Sequence, residues 1–260
     1  MFIRGSVKLN ELKTAGGKLR AFVKRNKKNV AAGIMLLLLA GIAYAAPRAV
    51  VDVANNAAAS AKELPIYCVD RDDKVVALTF DAAWGNEDTQ KILDILEKHN
   101  VKVTFFATGG WVETYPDDVK KIIEAGHAFG NHSENHKFMT RLTDEQKKQE
   151  LMKVHDKVQA LTGYEMCLFR PPYGDYNDAV VKVADSIGYY TIQWSVDSLD
   201  WKDYGVDSIV RTVTQHKSLD SGAIILMHNG AKYTADALDS IITNLEEQGY
   251  SFVTVAELIH

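Results

Sequence analysis

The sequence predicts an α/β fold in which helices cover a parallel sheet or barrel. Two observations predict it: short β-branched or aromatic runs alternate with amphipathic segments from about residue 66 onward, and a chemistry-bearing polar residue stands just past most of those runs. The bulk composition agrees, since 47% hydrophobic and 25% charged residues over 260 positions suit one globular domain with something added. Disordered and collagen-like chains are excluded, and two cysteines are too few for a disulfide scaffold.

The first element is the added part. Residues 1–28 hold nine Lys/Arg against one acid, Glu11, for a charge of +8, while residues 29–260 hold 21 basic and 33 acidic side chains, for −12. Basic charge confined to one end argues against nucleic acid as a partner, because the rest of the chain repels phosphate. Residues 30–46, VAAGIMLLLLAGIAYAA, are seventeen positions without a charge, long enough to cross a bilayer. The Lys/Arg excess before them predicts a cytoplasmic N-terminus and a single-pass cell-membrane protein with its domain outside. The predicted organisation is a basic leader over 1–28, a transmembrane signal-anchor over 29–46, a tether over 47–65 and a folded domain over 66–260. Ala43-Tyr44-Ala45 has the small-x-small form that signal peptidase cuts after, so cleavage after Ala45 and secretion is the alternative, against which the long leader counts. Cys68 and Cys167 are expected to stay free rather than pair.

Within the domain, seven strands are expected over 75–80, 101–107, 127–131, 168–170, 190–194, 223–227 and 252–255. Helical periodicity falls between them, over 87–99, 117–125, 144–161, 178–187, 207–216 and 234–248. Thr143 and Gln146 have the spacing of a capping box, Asp178 suits the start of its helix, and Gly163, Gly188 and Gly249 stand at left-handed stops.

Parallel α/β folds build their sites at the carboxyl ends of strands. Read that way, Asp81 follows VVALTF, His132 follows HAFGN, Arg170 closes CLF, Asp197 and Asp200-Trp201 follow TIQWSV, and His228 follows AIILM. Such a row is expected to converge on one rim as a catalytic site. His132-Ser-Glu-Asn-His136 is the metal candidate, because an i, i+4 pair on a helical turn aims both imidazoles one way. Asp81 is the nearest further ligand by topology, and His99, His127, His155, His216 and His260 read as structural. A divalent ion there would acidify water and polarise a carbonyl, the chemistry of amide or ester hydrolysis.

These residues carry a resemblance. From about Lys74 to His260 the chain resembles the NodB-homology polysaccharide deacetylases, carbohydrate esterase family 4, through five ordered motifs: Thr79-Phe80-Asp81, His132-Ser133-x-x-His136, Arg170-x-Pro172-Tyr173-Gly174, Asp200-Trp201 and Leu226-Met227-His228. The resemblance implies a distorted (β/α)7-type barrel. It further implies Asp81 as catalytic base, His132 and His136 as ligands of a zinc-like ion, and Arg170 as the holder of Asp81. Tyr173 would lend its backbone N–H to the oxyanion, and His228 would be the general acid, kept protonated by Asp200. Trp201 and Leu226 would shape the pocket for the acetyl methyl, the plainer reading being that both are core.

The sequence departs from the family pattern at two positions. The family's first motif usually has a second Asp, the third metal ligand, where this chain has Ala82. Asp81 would then serve the metal itself, Glu87 or Asp88 would move in, the ion would be held weakly, or activity would be lost. The surrounding TFDAAWG resembles a variant motif of a subgroup from spore-forming Gram-positive bacteria. The other departure is Lys137, where Pro often follows the second histidine. The leading expectation is a metal-dependent hydrolase removing N-acetyl groups from cell-wall glycan, either the N-acetylglucosamine or N-acetylmuramic acid of peptidoglycan or a chitin-like oligomer. Zn heads the ion candidates, with Co, Mn or Ni suiting the same ligands. The alternatives are a catalytically impaired surface glycan-binding or signalling pseudoenzyme, and an O-acetyl polysaccharide esterase.

Overall fold

A computed structural model of the chain describes residues 63–260. The expected leader, membrane segment and nearly all of the tether lie outside the described residues. Among the described residues no helix is long and apolar enough to cross a membrane.

The elements run β1 (Val75–Ala82), α1 (Thr89–His99), β2 (Thr104–Ala107), α2 (Gly109–Thr114), α3 (Pro116–Glu124), β3 (Ala128–Asn131), α4 (Asp144–Thr162), β4 (Leu168–Phe169) and α5 (Asp178–Asp185). They continue through β5 (Tyr190–Thr191), β6 (Val196–Asp197), α6 (Val206–Thr214), β7 (Ala223–Asn229), α7 (Thr234–Glu247), β8 (Ser251–Phe252) and α8 (Val255–Leu258). The sheet is parallel in the order β5-β4-β3-β2-β1-β7-β6, and β8 pairs with the start of β1. Its edge strands β5 and β6 do not pair with each other, so the barrel is open there. Isolated bridges from Ile66 to Ile192 and from Cys68 to Ala223 lie along that opening.

β1 is central and buried along its whole length, as expected of a parallel strand covered on both faces. Its alternation sorts the core into two layers. Val76, Leu78, Phe80 and Ala82 pack outward with helix residues such as Ile92, Leu96, Leu238 and Ile241. Val75 and Ala77 belong to the inner layer with Phe106, Leu168, Ile192 and Ile224. Thr79 and Asp81 continue the inner row, which is how an apolar strand delivers a carboxylate to the barrel mouth.

Helix ends follow local chemistry. The capping box of Thr143 and Gln146 starts α4, and Gly163, Gly188 and Gly249 all take positive φ. Asn177 rather than Asp178 caps α5, since its side chain accepts the Val180 N–H while Asp178 lies inside the first turn. The strand expected over 190–194 is only Tyr190–Thr191, with the unexpected β6 beyond it. The chain turns between them because Gln193 N–H bonds Ile66 O and Ser195 N–H bonds Ile224 O, which swings Trp194 into the site. The last strand is Ser251–Phe252 instead of 252–255, because Thr254 starts a capping box for α8. α2 was not legible: its Gly-Gly start reads as loop, but Thr108 Oγ1 accepts the Trp111 N–H and caps it. Cys68 is exposed, Cys167 is half-buried, and both are free thiols.

Candidate active site

Strand register assembles the site. Asp81 of β1 pairs with His228 of β7, Leu226 of β7 pairs with Asp197 of β6, and Asn131, just before His132, pairs with Phe169, just before Arg170. The carboxyl ends open into a cavity of about 420 Å³ lined by Asp81, His132, His136, Tyr173, Leu226 and His228, with Trp84, Trp194, Asp197 and Trp201 completing the wall.

At its floor lies Arg170, a fully buried guanidinium. Nη1 donates to Asp81 Oδ1 and to Thr79 Oγ1, both at 2.8 Å, and Nη2 donates to Gln193 O at 3.1 Å. The Arg170 fork is thus shared among three acceptors rather than clamped twice onto Asp81. Its flat face lies over the Phe106 ring at 4.2 Å, a contact open to Arg but not to Lys. Burial pushes the Asp81 carboxyl up, but the charges of Arg170, His132 and His228 outweigh burial and hold it below the usual carboxylate range. Asp81 is therefore an ionised base with one oxygen, Oδ2, left over.

Beside Asp81, on the end of the neighbouring strand, His228 is held by Asp200, also fully buried. Asp200 Oδ1 lies 2.7 Å from His228 Nδ1, and Oδ2 accepts the His228 N–H at 2.7 Å and the Thr234 O–H at 2.6 Å. Burial disfavours the charged imidazole of His228, yet the bond to Asp200 and its charge prevail, so the His228 pKa lies above the ordinary histidine value. Thr234, at the first position of α7, is a positioning residue that the sequence did not mark.

His132 and His136 turn their Nε2 atoms to 3.2 Å from each other, and Asp81 Oδ2 lies 3.5 Å from His132 Nε2. Neighbouring ligands about 2.0–2.1 Å from one tetrahedral ion stand about 3.3–3.4 Å apart, so the spacing suits a shared ion. His132 Nδ1 lies 2.8 Å from Arg170 O, which assigns the proton to Nδ1 and leaves the Nε2 lone pair facing the cavity. Burial holds both imidazoles neutral, with His136 lowered to about 4. The set is nonetheless short of donors: no group of three or more His, Cys, Asp or Glu among the described residues forms a complete ligand cluster. Ala82, where the resemblance leads one to expect a further carboxylate, has its methyl sealed in the outer apolar layer. Glu87 and Asp88 do not move in. Glu87 Oε2 accepts the Asn86 N–H at 3.0 Å, Asp88 Oδ1 accepts the Gly230 N–H at 2.8 Å, and neither lines the cavity.

Tyr173 sits in the left-handed region at φ 60°, and its N–H bonds no backbone acceptor among the described residues. Leu226 is buried and still forms cavity wall, whereas Trp201 is 53% exposed and stands at the rim, so the core reading of Trp201 does not hold. Sequence reasoning missed Trp84 and Trp194 as site residues. Trp84 stacks on the His228 ring at 5.6 Å between centroids, and its place three residues after Asp81 was the available signal.

Fold and site together define the class: an open α/β barrel whose strand ends set an anchored carboxylate and a carboxylate-held histidine around a pair of neutral imidazoles. Residues 69–192 match the polysaccharide deacetylase family. The chain is 37% identical to the peptidoglycan-N-acetylmuramic acid deacetylase PdaA of Bacillus subtilis, over 74% of this chain and 74% of that protein. It is 38% identical to a peptidoglycan-N-acetylglucosamine deacetylase of Bacillus cereus, over 74% of this chain and 91% of the relative. Among solved structures, PdaA superposes with a TM-score of 0.69 at 36% identity, covering 75% of this chain and 84% of PdaA. A family 4 pseudoenzyme from Bacillus anthracis superposes with a TM-score of 0.72 at 40% identity, covering 76% of this chain and 69% of that one. A mutant of that pseudoenzyme is described as having restored enzymatic activity. This chain belongs to the polysaccharide deacetylase family, carbohydrate esterase family 4.

Proposed function

We propose that the chain hydrolyses N-acetyl groups of cell-wall peptidoglycan, and the observation that carries this is that Arg170-anchored Asp81 and Asp200-held His228 stand on paired strand ends in one cavity. The names of the relatives support the same substrate. A divalent ion held by His132 and His136, with Asp81 Oδ2 beside them, would polarise the amide carbonyl and acidify water; Zn heads the candidates. Asp81, ionised and free at Oδ2, takes the proton of the attacking water. The unengaged Tyr173 N–H receives the oxygen that gains charge. His228 gives its proton to the departing amine, while Asp200 fixes the ring and keeps it charged. Leu226, Trp194 and Trp201 enclose the acetyl methyl. In the whole chain the domain stands outside the cell, behind a membrane segment at 29–46.

Ala82 favours a second reading, a glycan-binding pseudoenzyme. Elemental analysis together with acetate release from purified peptidoglycan separates the two. The hydrolase binds metal and releases acetate, and His132→Ala or His228→Ala abolishes release. Glycan binding with neither metal nor acetate in the parent chain, with Zn, Co or Mn supplied, overturns the hydrolase reading.

A further inference from the structure

At the cavity rim three side chains make a built feature, and of these residues the hydrolysis uses only the Tyr173 main-chain N–H. Between β3 and α4 the chain turns through Phe138 and Arg141. The Phe138 ring stacks on Tyr173 at 4.3 Å and 17°, and Tyr173 in turn meets the His136 ring edge-on at 4.5 Å. The Arg141 guanidinium lies 4.4 Å from the Phe138 centroid. Two planar groups that close to one ring centre occupy opposite faces, so the order outward from the cavity wall is Tyr173, Phe138, Arg141. All three are exposed, Tyr173 at 60%.

The ledge is held in place. Thr140 donates its N–H and its O–H to the Asp175 carboxylate at 2.8 and 2.9 Å, tying this turn to the loop that carries Tyr173, and Met139 is fully buried beneath. His136 and Tyr173 both keep left-handed backbones, at φ 53° and 60°, a conformation that persists in non-glycine residues only when the surroundings enforce it.

Charge gives the ledge its meaning. Residues 63–260 hold 19 Lys/Arg against 32 Asp/Glu, so a cation at the cavity mouth stands out against an acidic domain. Lys137 pairs with Glu150 at 2.9 Å and Arg170 with Asp81, and the Asp175 carboxylate is engaged by Thr140. Arg141 pairs with no carboxylate among the described residues and keeps its fork of donors facing solvent. A planar cation fixed on an exposed aromatic stack at the mouth of a sugar pocket matches a carboxylate carried by a sugar.

We propose that Arg141, Phe138 and Tyr173 form a subsite for a carboxylate-bearing sugar of the glycan, its apolar face along the exposed aromatic edges and its carboxylate on Arg141. The proposal rests on the glycan reading above and narrows it: the fitting polymer carries acidic substituents, such as the lactyl carboxylate of N-acetylmuramic acid, and uncharged chitin-like oligomers fit less well.

Calorimetric titration of the full chain tests this with three probes of equal length: peptidoglycan oligosaccharides with free lactyl carboxylates, the same oligosaccharides amidated, and chito-oligosaccharides. The parent chain is expected to prefer the free carboxylates by about three- to ten-fold. Arg141→Gln loses that preference with its affinity for the uncharged probes unchanged, and Arg141→Lys regains part of it. Equal affinity of the parent for free and amidated forms, or a uniform loss over all three probes in Arg141→Gln, overturns the subsite. Acetate release is measured in parallel. Carboxylate preference without release counts against the hydrolase alone, and release without preference counts against the subsite alone.

Discussion

Asp200 grips His228 at two points, taking the imidazole Nδ1 at 2.7 Å on one carboxylate oxygen and the same residue's main-chain N–H at 2.7 Å on the other. One buried carboxylate thus sets both the ring's proton and the position of the strand end that carries it. Without that charge, burial is the largest influence left on His228, and burial favours the neutral ring.

The pH dependence follows from this pair. His228 keeps its proton above the ordinary value of 6.5, so the basic limb of kcat/KM for acetate release is expected above pH 6.5. Asp200→Asn moves that limb to lower pH and reduces kcat, and an NMR titration of the His228 ring follows the same shift without turnover. In stability the raised His228 contributes fully below its unfolded pKa and loses that contribution as pH rises through the folded one. The depressed Asp200 contributes above its unfolded pKa and loses that contribution as pH falls through the folded one. A basic limb that stays in place in Asp200→Asn would refute this coupling.

Removal of Arg170 is expected to cost substantial stability. Arg170→Met leaves the Asp81 carboxylate buried without its partner, a change worth about 3–5 kcal/mol. Denaturant unfolding reads this, and adding Asp81→Leu to the variant recovers much of the loss because the stranded charge is gone. If the double variant is no more stable than Arg170→Met, stranding of Asp81 is not the cause. Arg170→Lys keeps the charge but lacks a planar fork to serve Thr79, Asp81 and Gln193 together, and is expected to fall between the parent and Arg170→Met.

Much of this site was legible because parallel strands end in register: once VVALTF and AIILM read as buried strands, Asp81 and His228 had to share a rim. The helix with the Thr143 capping box was equally plain, its signals being local. What stayed hidden depends on contacts distant in sequence. Trp194 reads as the tail of a strand until the Gln193 bond to Ile66 bends the chain. The suggestion that Glu87 or Asp88 supplies a further ligand finds no support in the geometry: Asp88 serves Gly230, 142 residues away, which no local signal shows, and Glu87 turns back to the N–H of its neighbour Asn86.

Ala82 gives a direct test of the ligand deficit. Ala82→Asp places a carboxyl group in a sealed apolar layer, which without metal costs at least about 1–3 kcal/mol even when it takes up a proton to stay neutral. Joined to His132 and His136 it would complete a three-residue ligand set. Thermal unfolding with and without zinc is expected to show a lower Tm than the parent in chelator and a larger zinc-induced rise. Should zinc raise Tm no more than in the parent, the introduced carboxylate does not reach the imidazole pair.

Gly230 controls the other side of His228. Its φ of +87° is disfavoured for any residue with a Cβ, and a Cβ there would stand 2.5 Å from Trp84 O and 3.2 Å from Trp84 Cδ1. Trp84 is the ring stacked on His228, and the Gly230 N–H is bound by Asp88. Gly230→Ala must therefore push Trp84 off the imidazole or reshape the turn. It is expected to lower kcat/KM about ten-fold, equivalent to about 1.4 kcal/mol in the barrier, and to lower Tm. Trp84→Phe keeps an aromatic face for His228 without touching the Gly230 backbone, so it should retain most of the activity and stability. Equal losses in Trp84→Phe and Gly230→Ala would place the effect in the indole itself rather than in the turn that positions it.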